Sequence, residues 1–222
     1  MDMADLEALR RLVFASDNAA CFLERDTLLS ELEQELREVT GPDRYARILS
    51  ALLDRVSTPV EAPDVFVGRI PEGPVREGIP SPNTLLAATG HMSFDYRRLL
   101  TRGLRGIAEE AEAAAARLGD GESASFAHNA RLVAEAVRRY AVRYAQAARR
   151  AGKARAAEAL SRVPYEPAYD LFSALQGIWI VHMIASGYVG ARDYAFGRMD
   201  DYLYPYYRQA LEEGATQEEL LE

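Results

Sequence analysis

Cysteine is almost missing from this chain of 222 residues, Cys21 being the only one. A lone thiol excludes an intrachain disulfide and any zinc or iron–sulfur site built from several cysteines of one chain. Lysine is as scarce: Lys153 is the one lysine among 26 basic residues. Acids outnumber bases, 34 to 26, for a net charge of −8. That balance argues against nucleic acid as a partner, because such affinity comes from neutralising phosphates. No run of 18 apolar residues occurs, so no membrane span is expected. The acidic opening Met1-Asp2-Met3-Ala4-Asp5 lacks the apolar stretch of a secretory signal, and the cytoplasm is the expected address. Phosphate-cradling glycine loops, dinucleotide fingerprints, HExxH and GxSxG are missing too. No cofactor and no metal site is read from the residues.

What is present is helical periodicity over an ordinary globular composition, 49% apolar and 27% charged. Leu28, Leu29, Leu32, Leu36 and Val39 form one amphipathic stripe, which Gly41-Pro42 is expected to stop. Tyr45, Ile48, Leu49, Leu52, Leu53 and Val56 form a second. After Ser93, a candidate N-cap, Leu99, Leu100, Leu104, Ile107 and Ala111 lead towards Gly119. Gly103 and Gly106 sit inside that helix at a cost of about 1 kcal/mol each, and close packing against another backbone would account for them. A long helix is predicted from about Ser123 to Ala151. A short one follows, ending before Pro164, and then an apolar helix over Leu171–Ile184, capped by Asp170 and expected at the centre. Beyond Pro205 a helix runs to Gly214, and Thr216 with Glu219 forms a capping box. The fold class is mainly α, a single helical domain over 1–222.

One stretch breaks the pattern. Six of the ten prolines fall between Ser57 and Asn83, so 57–83 is a Pro/Gly-rich extended loop in which only Val65-Phe66-Val67 could pair as a strand. Long loops of this kind are usually functional or wrap another element.

Candidate chemistry is sparse. The three histidines are far apart in sequence. His128 reads as a surface residue and His182 as a core one; His91, after Gly90 in a loop, is open between structure and site. Cys21 reads as a buried, inert thiol. Arg138–Arg155 holds seven basic residues and no acid, either a solvated face or a dock for an acidic partner, the chain's own C-terminus included. Gly197-Arg198-Met199-Asp200-Asp201-Tyr202 places a guanidinium and two carboxylates among tyrosines. Such a segment either ties a loop down or lines a pocket for a small polar substrate.

The segment Gly197-Arg198-Met199-Asp200-Asp201-Tyr202-Leu203-Tyr204-Pro205-Tyr206-Tyr207 resembles the GR-x-DQYLYPYY stretch of glycyl radical enzymes of the pyruvate formate-lyase type. Ala174-Leu175-Gln176-Gly177-Ile178-Trp179 resembles that family's EALQ-x-x-W helix. Gly90-His91, Asp95-Tyr96 and Leu99-Leu100-x-x-Gly103-Leu104 resemble its GH…DY…L-x-x-GL segment. Pro59-Val60-Glu61-Ala62-Pro63-Asp64-Val65-Phe66-Val67-Gly68 resembles its early I-x-pD-E-L-I-V-G strand. The four stretches occur in family order.

The resemblance implies radical cleavage or elimination on a small molecule, as by lyases and diol dehydratases. In that family a glycyl radical passes to a cysteine at the centre of a β/α barrel, after activation by a separate radical-SAM enzyme. It also implies that this chain is the helical N-terminal portion, with the catalytic barrel remainder, the radical cysteine loop and the glycine motif absent. Asp201 stands where the family has Gln. On this footing the chain is expected to be inactive alone. His91, Tyr194, Arg198 and Asp200 are the substrate-binding candidates: Asp200 accepts from a substrate hydroxyl or ammonium, His91 bonds the same substrate and Arg198 orients Asp200. The expected partners are a small-molecule substrate and either the missing barrel portion or a second copy, meeting through Leu171–Ile184 or Tyr188–Tyr207. The alternative is a non-catalytic helical binding protein on the same scaffold.

Overall fold

The computed structural model of the chain describes residues 3–14, 17–70, 91–189 and 194–221. Those residues form helices α1 (Met3–Phe14), α2 (Asp17–Glu35), α3 (Gly41–Arg55), α4 (Tyr96–Leu118), α5 (Gly121–Arg150), α6 (Ala154–Leu160), α7 (Leu171–Met183), α8 (Met199–Glu212) and α9 (Gln217–Leu221), with a π-helical turn at Ile184–Val189. Pairing of the strand type among them is a single parallel bridge, Ser93 with Ala195. The mainly α expectation holds. The part of the Pro-rich loop within the described residues, 57–70, is non-helical; 71–83 lies outside them.

Several boundaries depart from the periodicity. Pro42 opens α3, where its fixed φ suits the first turn, and does not close α2, which already ends at Glu35. The N-cap of α4 is Asp95, whose side chain accepts from the Arg98 amide at 2.9 Å, and not Ser93. α8 begins at Met199, six residues before Pro205, so that proline is inside the helix. Elsewhere the caps are as read. Asp170 and Ser173 form a reciprocal capping box on α7, and Thr216 and Glu219 form another.

α5 is the spine. Its stripe of Val137, Tyr140, Ala141, Tyr144 and Ala148 is buried against α3 and α6. Part of the basic run is absorbed by the fold, while Arg149 and Arg150 are exposed at the end of α5. Arg139 grips Asp54 at 2.8 and 2.9 Å, and Arg143 donates to the Leu53 and Val56 carbonyls, filling acceptors that the end of α3 leaves open. Lys153 donates to the Ala62 carbonyl and Arg155 lies over the Phe172 ring, 4.5 Å from its centre. α7 with its π continuation is long and apolar enough to cross a membrane by length and composition, but 67% of it is buried inside the fold, as befits a core helix.

Gly103 adopts φ 66°, ψ 169° in the middle of α4, a region essentially closed to other residues. The kink frees amides that would otherwise stay in the helix. Leu104 and Arg105 donate to the Pro164 and Tyr165 carbonyls at 2.9 and 3.0 Å, while the Leu100 carbonyl accepts from Ala168 at 2.9 Å. A Cβ on Gly103 would strike the Tyr165 carbonyl oxygen and lie 2.9 Å from Glu166 Cα. The close backbone approach expected of this glycine is therefore present.

The Val65–Val67 stretch is a non-helical bend and finds its partner in a side chain. Gln176, fully buried on α7, accepts from the Val67 amide at 3.0 Å and donates to the Val67 carbonyl at 2.9 Å. Trp179, one turn on, donates to the Gly68 carbonyl at 3.1 Å.

Two stability predictions follow from these contacts. Gly103→Ala should cost about 3 kcal/mol, combining strain with backbone collision. Gly119→Ala, at a left-handed helix end with nothing within 4 Å, should cost only about 1 kcal/mol. Equal losses in urea unfolding would mean that the α4 kink relaxes. Separately, Gln176→Ala strands two buried backbone groups at about 1–3 kcal/mol each, whereas Trp179→Leu leaves one; the first should be clearly the more damaging.

Candidate functional site

Two of the recognised stretches meet where 91–96 runs beside 194–202. The Ala195 amide donates to the Met92 carbonyl at 3.0 Å, making the bridge of Ser93 with Ala195. Phe94 and Tyr194 stack face to face on one side of it, centroids 4.8 Å apart and planes 2° apart. Gly197 turns the chain with φ 68°, and a Cβ there would sit 2.9 Å from Ser93 Oγ. That contact explains the glycine of the motif. The Tyr202 hydroxyl returns to the Phe196 carbonyl at 2.7 Å, pinning the turn to α8.

Behind the bridge lies an aromatic wall of Tyr96, Phe196 and Tyr202, with ring centroids about 6 Å apart. The His182 ring leans on Phe196 at 4.4 Å. Burial pushes the Tyr202 phenol up to about 12 and the Tyr96 phenol higher still. These hydroxyls stay protonated across the physiological range; that of Tyr202 donates to a carbonyl, whereas that of Tyr96 is buried without a hydrogen-bond partner among the described residues.

The polar candidates stand in front of that wall. Arg198 and Asp200 form a two-bond pair at 3.0 and 2.8 Å, with side chains 78% and 69% exposed. Gly197–Tyr202, expected from sequence to be extended chain or loop with Asp200 beside the tyrosine rings, is loop only as far as Arg198. Met199 to Tyr202 is the first turn of α8, and Arg198 is its N-cap residue. The pair forms because Arg198 sits outside the helix, at φ −84°, ψ 69°, so the divergence of helical positions two apart does not apply to it. The Arg198 guanidinium, hydrogen-bonded to Asp200, holds that carboxyl below its usual range. Asp201 pairs with Arg97 across the two segments.

His91 has φ 56° and is exposed. A left-handed conformation is uncommon away from glycine, though histidine is among the residues enriched there. Tyr194 is half-buried. The bridge thus carries the chain segments of all four candidates into one region. His128 is exposed on α5, and Cys21, read as a buried thiol, is half-buried on α2. Tyr96 and Ser93 are not among the sequence-predicted site residues, although Ser93 is the candidate N-cap and Tyr96 lies in the Asp95-Tyr96 part of the resemblance.

Residues 74–222 match the family described as pyruvate formate lyase-like. The isethionate sulfite-lyase of Oleidesulfovibrio alaskensis is 31% identical over 147 residues, covering 56% of this chain and 17% of that protein. The same enzyme of Desulfovibrio desulfuricans is 31% identical over 174 residues, covering 68% of this chain and 21% of that protein. The chain therefore spans about a fifth of the curated relatives it matches. Among solved structures, a glycyl radical enzyme from Archaeoglobus fulgidus superposes with a TM-score of 0.74 at 21% identity, over 88% of this chain and 36% of the other. The glycerol dehydratase of Clostridium butyricum superposes with a TM-score of 0.70 at 18% identity, over 86% and 36%. With its family match over two-thirds of its length and its helices laid out as in these folds, the chain belongs to the pyruvate formate lyase-like family of glycyl radical enzymes and carries its mainly helical N-terminal portion.

Proposed function

We propose that this chain is the substrate-side helical portion of a glycyl radical lyase or dehydratase acting on a small polar molecule, and that the radical cysteine and glycine are not among its residues. The observation that carries this reading is the Ser93–Ala195 bridge, which brings the His91 loop and the Gly197–Asp200 turn together over an aromatic wall. Glycerol and 1,2-propanediol, named for two of the structural neighbours, are small molecules with adjacent hydroxyls, and the polar set here suits such groups. The Asp200 carboxylate, kept ionised by Arg198, accepts from a hydroxyl. His91 offers a second hydrogen bond, Tyr194 supplies a flat apolar side, and Arg198 orients Asp200. Hydrogen abstraction needs a thiyl radical close to the substrate carbon. Cys21, near the start of α2 and before all of these segments in the chain, is not assigned that role.

Anaerobic treatment of this chain with a family activase and S-adenosylmethionine should therefore give no glycyl doublet in electron paramagnetic resonance. A protein-centred doublet would falsify the assignment of the radical residues to another portion. Cys21→Ser should leave substrate binding unchanged.

Asp200→Asn tests the polar pair. Because both side chains are mostly in water, the pair contributes little to stability, and the melting temperature should stay essentially as in the parent. Since the Asp200 carboxyl is depressed in the folded chain, any stabilisation it brings is full above its unfolded range and is lost as pH falls through the folded value. A large drop in melting temperature near neutral pH would make the pair structural and remove it from the site.

A further inference from the structure

Nearly all the cationic side chains of this chain are arginines, and several of those around α4 and α5 are engaged by carboxylates: Arg105 by Glu166, Arg131 by Glu112 and Arg139 by Asp54. Two others are placed differently. A concavity of about 120 Å³ opens where the turn after α6 meets α5, and Arg138 and Arg162 both line it, together with Ser161, Tyr165 and Glu166. Its floor is firm. Leu160 and Val163 are buried, and Ala141 and Val142, three and four residues beyond Arg138, share its face of α5.

Both guanidiniums lie over aromatic rings. Arg138 is 5.1 Å from the centre of the Tyr165 ring and Arg162 is 4.5 Å from that of Tyr169. A ring takes the face of a guanidinium and leaves its in-plane N–H fork open. Among the described residues no carboxylate pairs with Arg162. Arg138 reaches one only at 3.4 Å, that of Glu135, which the Tyr165 hydroxyl already engages. The acid that lines the concavity, Glu166, is held by Arg105 at 3.0 and 2.9 Å. The charge left over is therefore positive, on a chain whose net charge is −8. Backbone amides of the turn are already used: those of Arg162 and Val163 donate to the Ala159 carbonyl at 3.0 and 2.9 Å, and that of Glu166 to the Arg162 carbonyl at 2.9 Å. A ligand here is read by the two side-chain forks.

Size narrows the class. Pockets for drug-sized molecules run about 300–1,000 Å³, well above this one, whereas a tetrahedral oxyanion fits in the space of a few waters. Two convergent guanidinium forks suit several oxygens sharing two charges better than they suit a chloride.

We propose that the α5–α6 corner is a binding site for a dianion of the phosphate or sulfate type, held between Arg138 and Arg162. It shares no residue with the candidate substrate region at the Ser93–Ala195 bridge. Part of the basic run thereby gains a ligand of defined chemistry, a single oxyanion.

The test is calorimetric and thermal titration of the full chain with inorganic phosphate and with sulfate, against sodium chloride at the same ionic strength. A ligand that binds only the folded chain raises its melting temperature. Both dianions should bind and raise it, and chloride should not. Arg138→Gln and Arg162→Gln should each weaken binding at least about tenfold, with circular dichroism confirming that they remain folded. Arg155→Gln is the matched control: Arg155 also lies over a ring, that of Phe172, but does not line the concavity, and its variant should bind as the parent does. A small phosphate monoester that binds more tightly than inorganic phosphate would mark the site as one for an ester's head group; equal or weaker binding would mark it as one for the free ion. An equal rise with chloride, a response retained in both Arg138→Gln and Arg162→Gln, or an equal loss in Arg155→Gln would each overturn the proposal.

Discussion

The packing of the Pro-rich segment on α7 depends on one side chain, Gln176. A Pro-rich segment cannot be buried against a helix without a destination for its backbone hydrogen bonds, because an unpaired buried amide or carbonyl costs about 1–3 kcal/mol. A neighbouring strand would normally supply them, and the described part of this chain holds only one isolated bridge. Gln176 does it instead, its amide group reproducing the donor–acceptor pair of a strand opposite Val67. Trp179 extends the pairing to Gly68, where a Cβ would press on Met183 and Trp179 at 3.0 Å. Once Val67 is fixed, the residues before it follow. Asp64 accepts from the Glu61 amide at 2.8 Å and pairs with nearly buried Arg69, closing the loop upon itself.

The four stretches that carry the family resemblance are thus two interlocking pairs. The glutamine–tryptophan helix holds the Val65–Gly68 segment, and the His91–Tyr96 segment holds the Tyr194–Tyr202 turn. In each pair the glycine is where the other member comes closest: Gly68 against Trp179, Gly197 against Ser93. Much of what makes the motifs recognisable is therefore contact geometry within the fold, which exists whatever molecule the site takes. Of the substrate-binding candidates, His91, Arg198 and Asp200 are exposed and Tyr194 is half-buried.

That division explains what the sequence could show. Stripes at steps of three and four located the helices, and the glycines and cap residues that stop or start them acted through local geometry, so Gly103, Gly119, Asp170 and Thr216 were legible. Pro205 misled because a helix-interior proline loses one hydrogen bond and crowds the carbonyl four residues back. Here Asp201 and Pro205 are both exposed, while Tyr202 and Tyr206 on the other side gain burial and bonds to the Phe196 and Leu100 carbonyls. Tertiary packing outweighs local preference there. The polar pair was misplaced for the same reason: once α8 starts at Met199, Arg198 and Asp200 face solvent at a helix end. The partner of Val67 had no signature in the sequence, since a glutamine in an apolar helix has the same letter whether it faces water or clamps a backbone.

The π-helical turn at Ile184–Val189 joins the core to the site and had no local signal either. A π turn departs from the better hydrogen bonding of an α-helix and is often found at functional positions. Two buried contacts offset its cost. The Gly187 carbonyl accepts from Arg25, only 3% exposed, at 2.7 Å, and the Tyr188 hydroxyl bonds to that of Tyr140 at 2.9 Å. Both partners lie on the core helices α2 and α5, and burial raises both phenols well above their usual range, so the pair stays neutral and hydrogen-bonded. The turn lies between α7, which clamps Val67, and the segment from Tyr194 that pairs with Met92. A residue gained or lost there would rotate one clamp against the other. The position of the candidate site is therefore set by tyrosine and arginine contacts in the interior as much as by the residues that face the substrate side.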